Sequence, residues 1–229
     1  MGFSRGPKIV TDGLVLALDA GSKKSYPDSG NTWSSLTNSY DGTLTNGPTF
    51  NSTNGVIEFD GTDDYISFPS DSQYRLTTNM TFSFRFNWNA QGAGQTLMTR
   101  GPQSSIGFYW IMIYSGRPYF QFRKADNSGY LGLHSSTSLS QNTWYTWDIV
   151  VNGTDVIMYI DGAEFESWDV SSDGIGLAAY DNEIRIGSYA SSMSTWFYSG
   201  DIGYARIYNR SLSIGEIQQN YNAQKSRFI

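Results

Sequence analysis

The sequence contains no cysteine and a single histidine, His134, among its 229 residues. Without thiols there is no disulfide framework and no thiolate chemistry, and one histidine alone cannot fill a zinc site. The sequence also lacks a Gly-x-Ser-x-Gly nucleophile motif, so a serine hydrolase is not indicated. We interpret His134, which lies in a segment rich in glycine and serine, as a surface loop residue.

Charged residues are scarce, at 16%, and the formal net charge is −6. Nucleic acid is not an expected partner, because a phosphate-binding surface requires clustered lysine and arginine and the 15 basic residues here are scattered. The sequence has no run of about 18 apolar residues, so no membrane span is expected. The first residues lack the apolar core of a secretory signal, so no signal peptide is expected.

Aromatic residues are as abundant as charged residues, at 16%, and the chain has 24 glycines. This composition is typical of strands joined by turns. Residues 81–88 alternate between apolar and polar side chains, which predicts a strand with one buried face. The apolar face holds Phe82, Phe84, Phe86 and Trp88, and the other face holds Ser83, Arg85 and Asn87.

The run 106–114 is apolar on both faces. It fits either a central strand of a sandwich or a strand with an exposed aromatic face. Turn signals at Ser115-Gly116, Asn152-Gly153 and Asp161-Gly162 predict hairpins. Such regularly spaced strands predict one all-β sandwich domain over residues 10–229. We interpret residues 1–9 as an N-terminal arm. It is either flexible or serves as an anchor to a neighbouring subunit.

One short helix is predicted near the end of the chain. Ser213 and Glu216 have the spacing of a capping box, and Leu212 and Ile217 have that of a hydrophobic staple. The spacing of Ile214, Ile217 and Tyr221 predicts that these three side chains share the buried face of the helix.

Five segments together resemble the laminin-G-like branch of the concanavalin A-like lectin/glucanase superfamily. They are GLVLALDA, GVIEFDGTDDYISF, NTWYTWDIVVNGTDVIMYIDG, EIRIGS and GDIGYARIYNRSLSIGEIQQNYN. The resemblance extends from about Val10 to Asn222. It implies a jelly-roll sandwich of two antiparallel sheets, to which the sequence adds one short C-terminal helix.

A narrower resemblance is to virion proteins of tailed phages, particularly large myoviruses of marine cyanobacteria. It is carried by PKIVTDGLVLALDAGSKKSYPDSGNTW and DGTLTNGPTF. It implies a non-enzymatic virion surface protein, a capsid decoration or a fibre component, made in the host cytoplasm. The expected partners are other virion proteins such as the major capsid protein, further copies of the chain in a homo-oligomer, and a host or environmental glycan. The alternatives are a dedicated carbohydrate-binding module and, third, a glycoside hydrolase.

A hydrolase of this superfamily would need paired carboxyl groups roughly 5 to 10 Å apart. Glucanases of the superfamily carry them as Glu-x-Asp-x-Glu along one strand, and this motif does not occur in the chain. The nearest pattern is Glu164-Phe165-Glu166, beside a turn signal. We therefore predict no catalytic residue.

The segment FDGTDD places Asp60, Asp63 and Asp64 within five positions. Aspartate side chains favour turns because they bond to nearby backbone N–H groups, so a structural turn is one interpretation. Calcium takes six to eight oxygen ligands, so these carboxylates also form a candidate calcium site, for which Asp19 or Asp201 from adjacent strands are further candidate ligands.

A sugar site requires an exposed aromatic face with a few polar groups. The candidate residues for a glycan site or a subunit interface lie on the middle strands and in the polar segment 191–200. They are Trp110, Tyr114, Tyr119, Trp196 and Tyr198. The alternative is that these side chains belong to the core.

Overall fold

In the computed structural model, residues 8–37, 40–89, 94–176, 182–190 and 196–227 are described. Most of the predicted arm, residues 1–7, lies outside the described residues. The described chain folds into sixteen strands and one α-helix, α1 (Ile214–Gln224), with short 3-10 helices at Ser72–Tyr74 and Lys225–Arg227. Within this described part, no helix has the length and apolar character needed to cross a membrane.

The strands are β1 (Leu14–Asp19), β2 (Thr32–Trp33), β3 (Gly42–Thr45), β4 (Thr49–Asn51), β5 (Val56–Asp60), β6 (Tyr65–Phe68), β7 (Asn79–Trp88), β8 (Gly94–Arg100), β9 (Tyr109–Tyr114), β10 (Arg117–Arg123), β11 (Tyr130–His134), β12 (Tyr145–Asn152), β13 (Asp155–Ile160), β14 (Ala163–Asp169), β15 (Ile184–Ile186) and β16 (Ser199–Tyr208). They form two antiparallel sheets, which confirms the predicted jelly-roll sandwich. Sheet A has the order β14-β13-β12-β7-β16-β5-β4, with β1 also paired to β16. Sheet B has the order β11-β10-β9-β8-β15-β6-β3-β2.

The core lies between the two sheets and is rich in aromatic side chains. Phe82, Phe84 and Phe86 of β7 are fully buried there, as the alternation predicted. From sheet B, Tyr109 and Ile111 of β9 are also fully buried. The predicted hairpins are confirmed, because β9 pairs with β10, β12 with β13, and β13 with β14.

The opposite face of β7 is buried as well, which corrects the expectation of one buried face. Ser83 is fully buried and Arg85 is 5% exposed. The reason is tertiary. Asp148 and Arg206 of the neighbouring strands flank Ser83, and α1 lies over another part of this outer face of sheet A, where Ile217 packs with Tyr208 and Tyr159.

Helix α1 begins as its sequence predicted. The Ser213 and Glu216 side chains bond reciprocally to each other's backbone N–H, so the capping box is confirmed. Ile217 is fully buried, but Ile214 is 45% exposed, so its predicted place on the buried face is wrong. Asn220 is buried instead, because its amide bonds to the Tyr208 hydroxyl and the backbone N–H of Val10.

A row of polar side chains lies buried on the outer face of sheet A. Ser83 pairs with Asp148 on one neighbouring strand and with Arg206 on the other. The Arg206 guanidinium stacks 3.8 Å from the ring centre of Tyr204. Burial raises the pKa of Asp148 to about 7, and Ser83 and Arg206 offset part of that rise. The Asp148 carboxyl therefore resists ionisation in the folded chain.

We expect the free energy of unfolding to fall as the pH rises from about 4 to 7. Over this range the folded chain retains the Asp148 proton that the unfolded chain has already released. A folded-state pKa of about 7 corresponds to a loss on the order of 4 kcal/mol once the pH exceeds that value. Asp148→Asn should flatten this dependence in urea unfolding at a series of pH values. Asp155→Asn, at an exposed position, should leave the pH dependence of the free energy of unfolding unchanged. An equal pH dependence in the wild type and in Asp148→Asn would contradict the assignment to Asp148.

Candidate functional site

A pocket opens on the outer face of sheet B, and strand alternation builds it. Trp110, Met112 and Tyr114 of β9 face away from the core, and Tyr119 and Gln121 of β10 lie beside them in register. The cavity has a volume of about 300 Å³. This aromatic pocket is lined by Gln103, Trp110, Met112, Tyr114, Tyr119, Gln121, Tyr130, His134 and Trp196.

Trp196 closes the pocket from the segment that precedes β16. Its ring meets Trp110 at 5.6 Å and 90°, and Tyr114 at 5.9 Å and 35°. Tyr114 in turn lies 5.8 Å from Tyr119. The structure therefore brings together four of the five aromatic residues that the sequence singled out, and β9 combines a core face with an aromatic outer face.

Tyr198 does not join them, which corrects the prediction. It is fully buried beside the core residue Phe59, at 5.8 Å between ring centres. Its hydroxyl donates to the Asn87 carbonyl at 2.8 Å. Tyr198 lies next to the start of β16, where its side chain turns inward, and so it leaves the outer surface to Trp196.

The sequence context of His134 indicated a surface loop residue, and this prediction is wrong. It ends β11 and pairs with Tyr119 of β10. Its ring stands 5.5 Å from the rings of Tyr114 and Tyr119, and Nε2 lies 3.2 Å from the Tyr114 carbonyl. No local signal indicated this role, because the pairing of β10 with β11 brings the imidazole to the pocket.

Two carboxamides supply most of the remaining polarity of the pocket, and sequence reasoning missed both. Gln103 Nε2 donates to Gln121 Oε1 at 2.7 Å, and Gln121 Nε2 donates to the Tyr119 hydroxyl at 2.6 Å. Gln121 is only 4% exposed. Its position two residues after Tyr119 places both on one strand face, which is the signal that could have indicated it.

Gly94 makes room for Trp196. A Cβ atom at Gly94 would lie 1.9 Å from the indole of Trp196 and 2.4 Å from Met112. Trp196 itself has φ +74, a conformation that is rare for a bulky side chain and is often held by its surroundings at ligand sites. The packing over Gly94 thus holds the indole against the pocket.

The FDGTDD segment forms a turn between β5 and β6. The Asp60 carboxylate accepts from the backbone N–H of Thr62 at 2.8 Å, and this bond lowers the pKa of Asp60. The Asp64 carboxylate accepts from the backbone N–H of Asp60 at 3.0 Å, and burial raises the pKa of Asp64. Asp63 is exposed, and the three carboxylates offer oxygens within 4.8 Å of one another. Both interpretations of the segment therefore remain: a turn held by its aspartates, and a cation site.

An acidic cavity of about 510 Å³ adjoins this turn. Its carboxylates come from Glu58, Asp60, Asp64 and Asp201. Burial, and secondarily the charge of Glu58, raise the pKa of Asp201 to about 6. Asp201 is therefore near the turn, as predicted, whereas Asp19 is held in an ion pair with Arg227 at 2.7 Å and does not join the cavity.

A laminin G-type family model, described as the concanavalin A-like lectin/glucanases superfamily, matches residues 60–218. The chain belongs to this superfamily. The matched span contains Asp60, Asp63 and Asp64 of the FDGTDD turn and every residue that lines the aromatic pocket.

Solved structures with the superfamily fold include the binding domain of botulinum neurotoxin serotype D. That domain is 18% identical over 93% of this chain, with a TM-score of 0.68. The serotype D ligand-binding domain in complex with N-acetylneuraminic acid is also 18% identical over 93% of this chain, with a TM-score of 0.71. The chain spans about half of these domains, 52% and 51% of their lengths. No curated protein matches the sequence.

Gly94→Ala should displace Trp196 from the aromatic pocket of this superfamily member, because the new methyl group would overlap the indole. We expect greater quenching of tryptophan fluorescence by acrylamide and a stability loss of about 1–3 kcal/mol from overpacking. Gly129→Ala is the matched control, since a Cβ there meets nothing within 4 Å. Equal quenching in the two variants would contradict the proposed packing.

Proposed function

We propose that this protein is a non-enzymatic, lectin-like surface protein that binds a glycan in the aromatic pocket on sheet B. The observation that carries the proposal is the convergence of aromatic rings and side-chain amides in that pocket. Trp110, Tyr114 and Trp196 supply ring faces and edges, and Gln103 and Gln121 supply hydrogen-bonding groups.

This combination matches the chemistry of a sugar ring. A pyranose has an apolar C–H face that packs on aromatic rings and a rim of hydroxyl groups that require hydrogen-bond partners. The indole N–H of Trp110 already donates to Thr96 at 3.0 Å. The ring therefore offers hydrocarbon surface to the pocket, and the amides and hydroxyls provide its polarity.

Two comparisons support a sugar ligand. The chain belongs to a superfamily that takes its name from lectins and glucanases. A domain of the same fold has been solved with N-acetylneuraminic acid.

The aromatic pocket contains no carboxylate among its described lining residues. Since glycoside hydrolysis requires a carboxyl pair, the pocket favours binding over cleavage.

The test is a glycan-array screen of the purified protein, followed by affinity measurement on the best-bound glycan. Trp196→Ala should weaken binding by about tenfold or more, because the variant loses the apolar surface that a bound sugar would cover, and full burial of a large apolar side chain is worth roughly 1.5–3 kcal/mol. Trp168→Ala is the control, since this partly buried tryptophan lies on β14 of sheet A, away from the pocket.

The two variants distinguish loss of the binding site from loss of the folded structure. Loss of binding in Trp196→Ala with binding retained in Trp168→Ala supports the aromatic pocket. An equal loss in both variants would assign the effect to stability. A folded protein that binds no glycan on the array would contradict the proposed function.

We further propose that the protein works on a virion surface, as a capsid decoration or a fibre component. The support is the resemblance of PKIVTDGLVLALDAGSKKSYPDSGNTW and DGTLTNGPTF to proteins of tailed phages. On this proposal its partners are other virion proteins, such as the major capsid protein, and further copies of the chain. Detection of the chain by mass spectrometry of purified particles would test the placement.

We also propose calcium as a ligand of the FDGTDD turn. The support is the approach of three carboxylates to within 4.8 Å and the four carboxylates around the adjoining acidic cavity. A divalent cation would relieve the repulsion between these groups. Asp63 is the most informative ligand to remove, because it is exposed and its carboxylate makes no hydrogen bond among the described residues.

Calcium should raise the melting temperature of the chelator-treated protein, by mass action on the folded state. At a calcium concentration of about 100 times the Kd, the gain would be about 2.7 kcal/mol. Asp63→Asn should reduce this gain, and Asp155→Asn, an exposed carboxylate elsewhere, should not. A melting temperature that does not respond to calcium would contradict the calcium site and support a purely structural role of the three aspartates in the turn.

A further inference from the structure

The described lining of the aromatic pocket contains no lysine, arginine or carboxylate side chain. The lining side chains are aromatic rings, one thioether, two carboxamides and one imidazole. A ligand that entered this pocket would exchange water for neutral partners. A carboxylate on that ligand would lose its hydration without gaining a counter-charge, which is costly.

The hydrogen bonds made by Gln121 determine which donors and acceptors the pocket presents to a ligand. The Tyr119 oxygen accepts from Gln121, so its own proton is free to be donated elsewhere. Burial raises the pKa of Tyr119, so the hydroxyl keeps that proton. Gln103 uses its NH₂ group on Gln121 and leaves its carbonyl oxygen as an acceptor. One hydroxyl donor and one amide acceptor are what a sugar hydroxyl, itself donor and acceptor, requires.

His134 adds a second acceptor when its imidazole is neutral. The Tyr114 carbonyl can only accept, so His134 Nε2 must donate to it across their 3.2 Å contact. In the neutral imidazole the other ring nitrogen, Nδ1, then carries no proton and can accept a hydrogen bond. The polar groups therefore suit hydroxyls better than an anion.

The size and shape of the pocket limit the ligand to one ring. Its volume of about 300 Å³ lies at the lower end of the range of small-molecule sites, about 300–1,000 Å³. Trp196 and Trp110 stand at 90° and make a corner, not a flat platform. A corner encloses a single sugar residue at the end or on a branch of a glycan.

Two arginines flank the pocket without lining it. Arg123 is occupied, because its guanidinium donates to Asn127 and to the Gln103 carbonyl. Arg117 pairs with Tyr114 across the β9–β10 hairpin, so it emerges on the same sheet face. Of these two arginines, Arg117 is therefore the one available to recognise an anionic ligand.

We propose that the aromatic pocket selects one uncharged sugar residue and discriminates against carboxylated sugars such as N-acetylneuraminic acid. This inference rests on the proposed glycan-binding function and adds its ligand class. It sets the chain apart from the neurotoxin domain of the same fold that was solved with that acidic sugar.

The experiment uses matched glycan pairs that share a core and differ only in a terminal carboxylated sugar. Affinities are measured by titration calorimetry for the wild type, Trp196→Ala and Arg117→Ala. We expect the uncharged member of each bound pair to bind at least about tenfold more tightly, because the carboxylate would be buried unpaired. Binding should be insensitive to salt, be lost in Trp196→Ala and persist in Arg117→Ala.

The outcomes are distinct. Tighter binding of the carboxylated member, weakened by salt and lost in Arg117→Ala, would overturn the inference and leave the glycan-binding function in place. Equal affinity for both members would also overturn it. If neither member of any pair binds, the proposed function fails and the inference falls with it.

Discussion

The proposed binding face depends on the alternation of side chains along strand β9. Tyr109, Ile111 and Ile113 are buried between the sheets, while Trp110 and Tyr114 lie on the opposite face and line the aromatic pocket. Because the period of a strand is two, each residue that anchors β9 in the core also sets the direction of its neighbour in the pocket. The pocket floor is therefore as well positioned as the core, an advantage that a site built on loops alone would lack.

The two sheets differ in what covers their outer faces, and this difference determines where a ligand can bind. Helix α1 lies over part of sheet A, where Ile217 packs into a cluster with Tyr208. The segment after the helix is held by Arg227, which makes two bonds of 2.7 Å to Asp19 of β1. This part of sheet A is occupied by the chain itself. Sheet B carries the aromatic pocket on its outer face, and Tyr114 and Tyr130 remain exposed there.

Local patterns predicted the sandwich and the start of the helix, because hairpin turns and the capping box involve only a few consecutive residues. The pocket could be predicted only in part, because its members converge from distant positions. His134 arrives through the pairing of β11 with β10, and Gln103 arrives from the connection between β8 and β9. Neither has a local signal. Tyr198 shows the opposite problem: its polar neighbours indicated exposure, but just before β16 its side chain turns into the core. Ser83 is likewise buried, between Asp148 and Arg206 of the two neighbouring strands, which its own strand does not reveal.

Two glycines explain how large rings fit on a strand surface. A Cβ at Gly94 would overlap Trp196, and a Cβ at Gly132 would lie 2.1 Å from the Tyr119 hydroxyl. Each glycine leaves a gap that a ring of the pocket fills. Trp196 occupies its gap with φ +74, a conformation that costs on the order of 1–3 kcal/mol and that the surrounding contacts must hold. Since that cost is met on folding, the indole is already in place before a ligand arrives, and less ordering remains to oppose binding.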